Sequence, residues 1–287
     1  MMNCVLIVTN FNAGRKKAIK YKKKVIDFVL KYTKSFKFVD IDEFKELDIT
    51  PFDTIFAMGG DGTVNKVLPF LVNTDKVLGI IPCGTANLLA AKLGLSSRLT
   101  KTLKIIEKNN IKSIDVMKLN NYYSALRCGI GYDSDIICKT PQSLKNKFGY
   151  FAYFIAGILF ALRLKKKEYK MNIDRKQYNT EASCIIFANA SNMYKNFASI
   201  GNNSKLDDGL IDIFVLKTTN PIVFFFEFLC IILGKKKNNK RAEYMKAKNV
   251  EIENSWIACH IDGEKKNLKD NINIEVINCS IKVFYKN

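Results

Sequence analysis

The chain has 287 residues, 48% of them hydrophobic, and carries 46 Lys and Arg against 27 Asp and Glu, a formal net charge of +19. That length suits one large domain or two ordinary ones, and the apolar share excludes a disordered polymer. A charge this positive attracts polyanions, whether nucleic acid, nucleotide phosphate or an anionic membrane surface, without choosing among them.

The first part alternates strand and helix. Asn3 to Thr9 reads as a strand, Lys16 to Tyr32 as an amphipathic helix, and Phe36 to Ile41 as a second strand. Asp53 to Met58 is a short buried strand ending at Gly59-Gly60. Val64 to Leu71 follows as a helix, Val77 to Ile81 as a strand, Ala86 to Leu93 as a helix stopped by Gly94, and Thr100 to Lys108 as another helix. Elements of these lengths in this order imply a parallel sheet with helices on its faces, a three-layer α/β domain.

Near Ile111 the texture changes. Ile114 to Leu119, Tyr122 to Cys128, Tyr169 to Ile173, Ser183 to Ala190, Leu210 to Leu216, Val250 to Ile252, Trp256 to Ile261, Ile272 to Val276 and Ser280 to Phe284 all read as strands. They imply a second, mainly antiparallel β domain, with domains at 1–115 and 116–287. Two apolar stretches interrupt the strands, Tyr150 to Leu162 and Pro221 to Leu233. Both fall short of the roughly 20 apolar residues a membrane span needs. Each is read as a half-buried helix, with a helix resting on lipid as the alternative. The basic run from Lys235 to Arg241 is expected to be a mobile loop.

Eight cysteines form no C-x-x-C pair and the chain has one His, so no zinc site is expected. The N-terminus leads straight into Val5 to Val8, so no signal peptide is expected, and the cysteines are expected reduced in a cytosolic protein.

Three strand-to-helix turns carry the chemistry. Gly59-Gly60-Asp61-Gly62-Thr63 can bring backbone amides close to a bulky anion. Asp61, a carboxylate among those amides, suggests a bridging Mg²⁺ or a catalytic contact; the plain alternative is a tight turn with a capping Asp. Pro82-Cys83-Gly84-Thr85-Ala86-Asn87 offers the Gly84 amide and the Thr85 hydroxyl. Asn10-Phe11-Asn12-Ala13-Gly14 follows the first strand. In a parallel sheet such turns face one crevice beyond the strand ends, and together they suit nucleotide phosphate. Far downstream, Asp262-Gly263-Glu264 supplies a carboxylate that could act as a general base for phosphoryl transfer to an alcohol, with Asp61 as metal partner; the competing reading is an ordinary hairpin turn. His260 is read as a strand residue without a catalytic role.

These motifs, with Leu206-Asp207-Asp208-Gly209-Leu210-Ile211-Asp212, follow the order and spacing of the diacylglycerol kinase catalytic family. The chain resembles its bacterial lipid kinase branch, related to sphingosine and ceramide kinases. Softer matches are Gly129-Ile130-Gly131-Tyr132-Asp133, Gly149 to Tyr153 and Ala247 to Val250. The resemblance implies an N-terminal α/β nucleotide domain, a C-terminal β-sandwich whose last strands can pack back on the first domain, and ATP between them. It implies that Glu264 accepts the proton of a lipid hydroxyl, that Gly59, Gly60, Asp61, Gly62, Thr63, Val64, Asn65 and Thr85 contact nucleotide, and that a structural Mg²⁺ sits at Asp208 with the carbonyls of Lys205 and Leu210. Partners implied are ATP, a lipid substrate and the inner face of an anionic membrane; a homodimer is left open.

Lys66, Leu88 and Phe11 depart from the residues common in the family. A related reading is NAD kinase, which shares the Gly-Gly-Asp-Gly turn. A reading of another class is a nucleotide- or membrane-binding protein without catalysis. No aromatic-basic interleaving or helix-turn-helix supports nucleic-acid binding.

Overall fold

The computed structural model describes residues 2–11, 17–140, 164–189, 205–232, 238–253 and 256–287. The expected Tyr150–Leu162 helix, the Gly149 to Tyr153 match, the turn through Asn12 to Gly14 and the run Lys235 to Lys237 lie outside them. The chain divides into two compact units, Met1–Ile114 with Cys279–Asn287, and Asp115–Asn278.

The first unit contains β1 (Val5–Thr9), α1 (Lys17–Val29), β2 (Phe36–Asp40), β3 (Thr54–Gly59), α2 (Asp61–Val67), β4 (Val77–Pro82), α3 (Leu88–Lys92) and α4 (Leu99–Glu107). Its strands are all parallel, in the order β2-β1-β3-β4, and the terminal strand adds Lys282 and Val283 beside Val77 and Leu78. β1 and β3 are buried along their full length, as sheet strands with both faces covered must be. Val5, Ile7, Phe56, Met58 and Ile81 pack with Ala18, Val25 and Phe28 of α1 and with Leu99 and Ile106 of α4. Val64, Val67 and Leu68 are buried after β3, so helices line both faces. The N-terminal half is thus the expected three-layer α/β arrangement.

The second unit holds β6 (Tyr122–Ser124), β7 (Arg127–Gly131), α5 (Tyr132–Lys139), β8 (Lys167–Ile173), β9 (Lys176–Ala182), β10 (Cys184–Ala188), β11 (Ile211–Leu216), α6 (Pro221–Ile232), β12 (Ala242–Ala247), β13 (Asn249–Glu253), β14 (Trp256–Ile261) and β15 (Glu264–Lys269). Two strands are shared with the first unit, β5 (Ile111–Leu119) and β16 (Ile272–Phe284). One antiparallel sheet runs β12-β11-β10-β7-β14-β15. The other joins the start of β16 to β13, β8 and β9, again antiparallel. Ile130, Ile185, Phe187, Ile213 and Val215 of the first meet Met171, Ile173, Val250, Ile252 and Ile274 of the second in one buried core. This is the expected β-sandwich.

The alternate residues of the six-stranded sheet, Cys184, Ile186, Phe214 and Leu216, face the other way. They are covered by Tyr132 and Ile136 of α5, Leu164, and Phe224 of α6. Both faces are therefore buried, which is why β10 reads as an unbroken apolar run and β11 as one interrupted only by the buried Asp212.

Several sequence expectations need correction. The expected strand Tyr122 to Cys128 is two, β6 and β7, because the chain between them wraps around the Asp262 carboxylate. The two last expected strands are one ladder, β16, that continues through the left-handed Cys279, φ 48°. Helix α5, strand β9 and strand β12 were not expected, and neither was β15, whose sequence Glu-Lys-Lys-Asn-Leu-Lys has no apolar alternation and is set by pairing with β14. The helix expected from Val64 starts three residues earlier, at Asp61. Gly94 ends α3 in the left-handed region as expected, φ 79°.

Candidate functional site

Registers Thr9↔Met58 and Gly59↔Pro82 bring the carboxyl ends of β1, β3 and β4 to one level. Asn10, half-buried, leaves β1 there with its amide donating to the Met58 carbonyl at 3.3 Å. The Gly59 carbonyl accepts the amides of Cys83 at 2.8 Å and Gly84 at 3.3 Å, so the turns after β3 and β4 are tied together.

Their backbones touch. A Cβ on Gly84 would lie 2.5 Å from the Gly60 Cα, and one on Gly60 would lie 3.2 Å from the Gly84 Cα. No side chain fits at Gly84 without moving main chain, which is the physical reason for glycine in both turns. Asn87 closes the second turn by accepting the Gly84 amide at 2.9 Å and donating to the Gly84 carbonyl at 2.7 Å. The Gly84 amide, offered by the sequence as a phosphate ligand, is thus already engaged by protein acceptors.

Asp61 opens α2 and reaches across to α3, where its carboxylate accepts the Leu89 amide at 3.3 Å. Burial pushes its pKa up, opposed by the amides of Leu88, Leu89 and Asn87. A carboxylate at a helix start that collects amides is a cap, so Asp61 fixes the second turn on the first. Around it, Gly62 and Thr85 are exposed, Asn65 is half-buried, and Gly59, Thr63 and Val64 are buried. Ligand contact at Val64 is therefore restricted to its main chain.

In the second unit, Glu264 is exposed at the first position of β15, paired with Ile261 across a two-residue hairpin. Asp262 and Gly263 both have positive φ, 47° and 91°, the geometry that favours Asp-Gly in such turns. The hairpin reading of this motif is correct as local structure. The turn is anchored twice. Asp262 accepts the Ser124 hydroxyl at 2.7 Å and the amides of Ala125, Leu126 and Arg127 at 3.1, 3.2 and 2.7 Å. His260, fully buried, has its Nε2 2.5 Å from Asp133 Oδ2, while its Nδ1 accepts the Gly263 amide at 3.4 Å.

Asp133 also receives the Arg127 guanidinium on both oxygens, at 3.1 and 3.0 Å. Burial alone would raise its pKa, but Arg127 and His260 prevail and hold it at about 2. Burial lowers the His260 pKa against the pull of Asp133, so at neutral pH the ring is uncharged and its Nε2–H donates to the carboxylate. A Cβ on Gly129 would sit 2.0 Å from Asp133 Oδ2 and 2.5 Å from His260 Nε2. Gly129 therefore lets this pair cross the strand, whereas Gly131, at φ 71°, answers to the Ser183 carbonyl, 2.6 Å from where its Cβ would lie. Sequence reading gave no role to Arg127, Asp133 or His260; the one His of the chain, two residues before Asp262, was the available signal.

Asp208 lies before β11, with its Oδ1 accepting the Leu210 amide at 3.2 Å and its Oδ2 ion-paired with Lys246. Lys246 also lies 3.8 Å from Asp212, which accepts the Tyr244 hydroxyl at 2.5 Å. The loop is held further by Asp115, which accepts the Gly209 amide at 2.7 Å. A Mg²⁺ bound by Asp208 with the carbonyls of Lys205 and Leu210 would meet an ammonium on the same carboxylate. As they stand, these residues fit a lysine and not a dication. Among the described residues, no group of three or more His, Cys, Asp or Glu could hold a metal ion. Nor is any described helix long and apolar enough to cross a membrane.

Comparison with known proteins places these motifs. Residues 4–119 match the family model of the diacylglycerol kinase catalytic domain, and residues 128–284 match that of the YegS C-terminal NAD kinase beta sandwich-like domain. A protein named diacylglycerol kinase from Bacillus subtilis is 29% identical over 224 residues, 77% of this chain and 74% of that protein. An uncharacterized protein from Synechocystis is 37% identical over 168 residues, 58% of this chain but only 39% of that protein's length. A crystal structure of a diacylglycerol kinase from Bacillus anthracis has a TM-score of 0.74 at 22% identity, covering 99% of this chain and 97% of that one, a likeness of fold. The chain belongs to the family that joins a diacylglycerol kinase catalytic domain to a YegS-type C-terminal β-sandwich domain.

Proposed function

We propose that the chain is an ATP-dependent lipid kinase that transfers the γ-phosphoryl group of ATP to a hydroxyl of diacylglycerol or a related lipid, working at the inner face of an anionic membrane. The observation that carries this reading is the pair of glycine turns after β3 and β4, locked to each other at Gly60 and Gly84 and capped by Asp61. Rigid main chain at the ends of adjacent parallel strands suits a polyphosphate, because oriented amides need no reorganisation when charge arrives. In this reading 1–115 bind ATP through Asn10, the Gly59–Asn65 turn and Thr85, with Gly84 closing the second turn against Gly60, and 116–287 hold the lipid.

The reaction is an in-line displacement. The lipid hydroxyl oxygen bonds to the γ-phosphorus, the bond from that phosphorus to the β–γ bridging oxygen breaks, and ADP leaves. Glu264 accepts the hydroxyl proton. Its support is chemical and local: an exposed carboxylate on a doubly anchored turn is held in place yet open to a bulky alcohol. Mg²⁺ entering with the triphosphate supplies charge neutralisation. Asp208 orders its loop, with Lys246 on its carboxylate, and takes no part in the chemistry.

The β-sandwich match, whose description mentions NAD kinase, favours one alternative, phosphorylation of NAD. Incubating the pure protein with γ-labelled ATP, Mg²⁺ and either a total lipid extract or NAD separates the two. Label in an organic-phase lipid supports the proposal; label only in NADP overturns it. No label in either, with vesicle binding retained, leaves the non-catalytic reading.

A further inference from the structure

Helix α6 has two apolar faces, and among the described residues only one of them is packed against the protein. Asn220 caps it, accepting the amides of Ile222 at 3.0 Å and Val223 at 3.2 Å, and Pro221 occupies its first turn. Phe224 is 4% exposed, set edge-on against Tyr132 with ring centroids 4.8 Å apart, and Phe228 packs on the same cluster. On the other side Ile222 is 69% exposed, Phe226 61% and Leu229 37%. At spacings of four and three residues these side chains form a single stripe along the helix. Nothing in the fold of a water-facing helix calls for a Phe and an Ile this exposed one turn apart.

Basic residues adjoin the segments that pack under the helix. Leu164 and Ala242 are buried in the same cluster as Phe224. Lys165, Lys166 and Lys167 directly follow the one, and Lys240 and Arg241 directly precede the other; all five are exposed. Two basic segments distant in sequence thus emerge from the cluster that α6 covers. The helix carries one acid, Glu227, whose Oε1 accepts the Asn239 side-chain amide at 3.3 Å.

We infer that α6 is the membrane-docking element of the chain, with Ile222, Phe226 and Leu229 entering the acyl region of an anionic bilayer and Lys165, Lys166, Lys240 and Arg241 at its headgroups. An apolar stripe with flanking cations is the arrangement of an interfacial helix. A protein partner fits less well, because lysines are depleted at protein interfaces whereas each adds attraction to anionic lipid. The inference deepens the lipid-kinase reading and rests on it only for the choice of a bilayer as partner.

The test is co-sedimentation of the full chain with vesicles of phosphatidylcholine containing phosphatidylglycerol, or of phosphatidylcholine alone. The wild type, the double variant Ile222→Ser/Phe226→Ser and the double variant Lys240→Gln/Arg241→Gln are compared. The Ser variant should bind both vesicle types about tenfold or more weakly. The Gln variant should lose affinity only for anionic vesicles, and raising salt should weaken wild-type binding to those alone. Unchanged vesicle binding by the Ser variant overturns the proposal. So does a wild-type dimer that the Ser substitutions dissociate while vesicle binding stays intact, which would make the stripe a contact between two copies. Failure of the kinase reading looks different: α6-dependent vesicle binding, with no phosphorylation of vesicle lipid or of a water-soluble short-chain diacylglycerol.

Discussion

Replacing Asp262 separates its role as an anchor from its role as a turn residue. Its two carboxylate oxygens accept four bonds, three from backbone amides and one from Ser124. In Asp262→Asn the side-chain oxygen can keep the three partners now on Oδ1, while the new NH₂ faces the Ala125 amide, donor against donor. The loss is one hydrogen bond to a charged acceptor, about 2 kcal/mol. Asn tolerates the left-handed φ of 47°, so the turn itself survives. Asp262→Ala leaves three amides without their acceptor and places a Cβ residue with little tolerance for that φ, for a total of about 5 kcal/mol. At roughly 2–4 °C per kcal/mol, the thermal midpoint should fall by about 4–8 °C for Asn and by more than 10 °C for Ala. Differential scanning fluorimetry at pH 7 reads both. The reasoning is refuted if Asn and Ala cost the same, or if both stay within about 1 °C of wild type.

Other consequences follow from the same geometry. Gly129→Ala drives a methyl into the Asp133–His260 pair and should cost at least about 3 kcal/mol in urea unfolding, since it disturbs a buried charge network. His260 has a lowered folded pKa, so the unfolded chain binds its proton first as pH falls below about 6.5. Stability then drops toward acid by up to about 1.4 kcal/mol per pH unit until the folded pKa is reached, and His260→Gln should flatten that slope. The raised pKa of Asp61 has the opposite sign, giving stability that is lost as pH rises through its folded value, so the slope is read as a difference between wild type and variant. With Lys246 on Asp208, Mg²⁺ without nucleotide should leave the melting midpoint within about 1 °C, and Lys246→Met should create a Mg²⁺-dependent rise; a rise in the wild type contradicts the assignment of that carboxylate to lysine.

The two halves of the fold were legible for different reasons. In the first, buried parallel strands such as Thr54–Gly59 end in glycine turns, and both period and punctuation were visible. In the second, β10 and β11 announced themselves as apolar runs, whereas β9 and β15 are polar and exist only through hairpin pairing, which no local pattern carries. The candidate residues Asp61 and Glu264 stood out as carboxylates in glycine-rich turns. The residues that fix those turns did not: Asn87 is one amide among many, and Asp133 and His260 meet across 127 positions. Nor could sequence show that Gly84 has its amide engaged or that Lys246 sits on Asp208, because both depend on tertiary neighbours.

The central claim is tested most directly by single-turnover transfer of label from γ-labelled ATP to dispersed diacylglycerol, with wild type and Glu264→Gln compared at matched ATP occupancy. The account predicts that Glu264→Gln binds ATP as the wild type does and transfers at least about a hundredfold more slowly. Transfer at the wild-type rate by Glu264→Gln would contradict it.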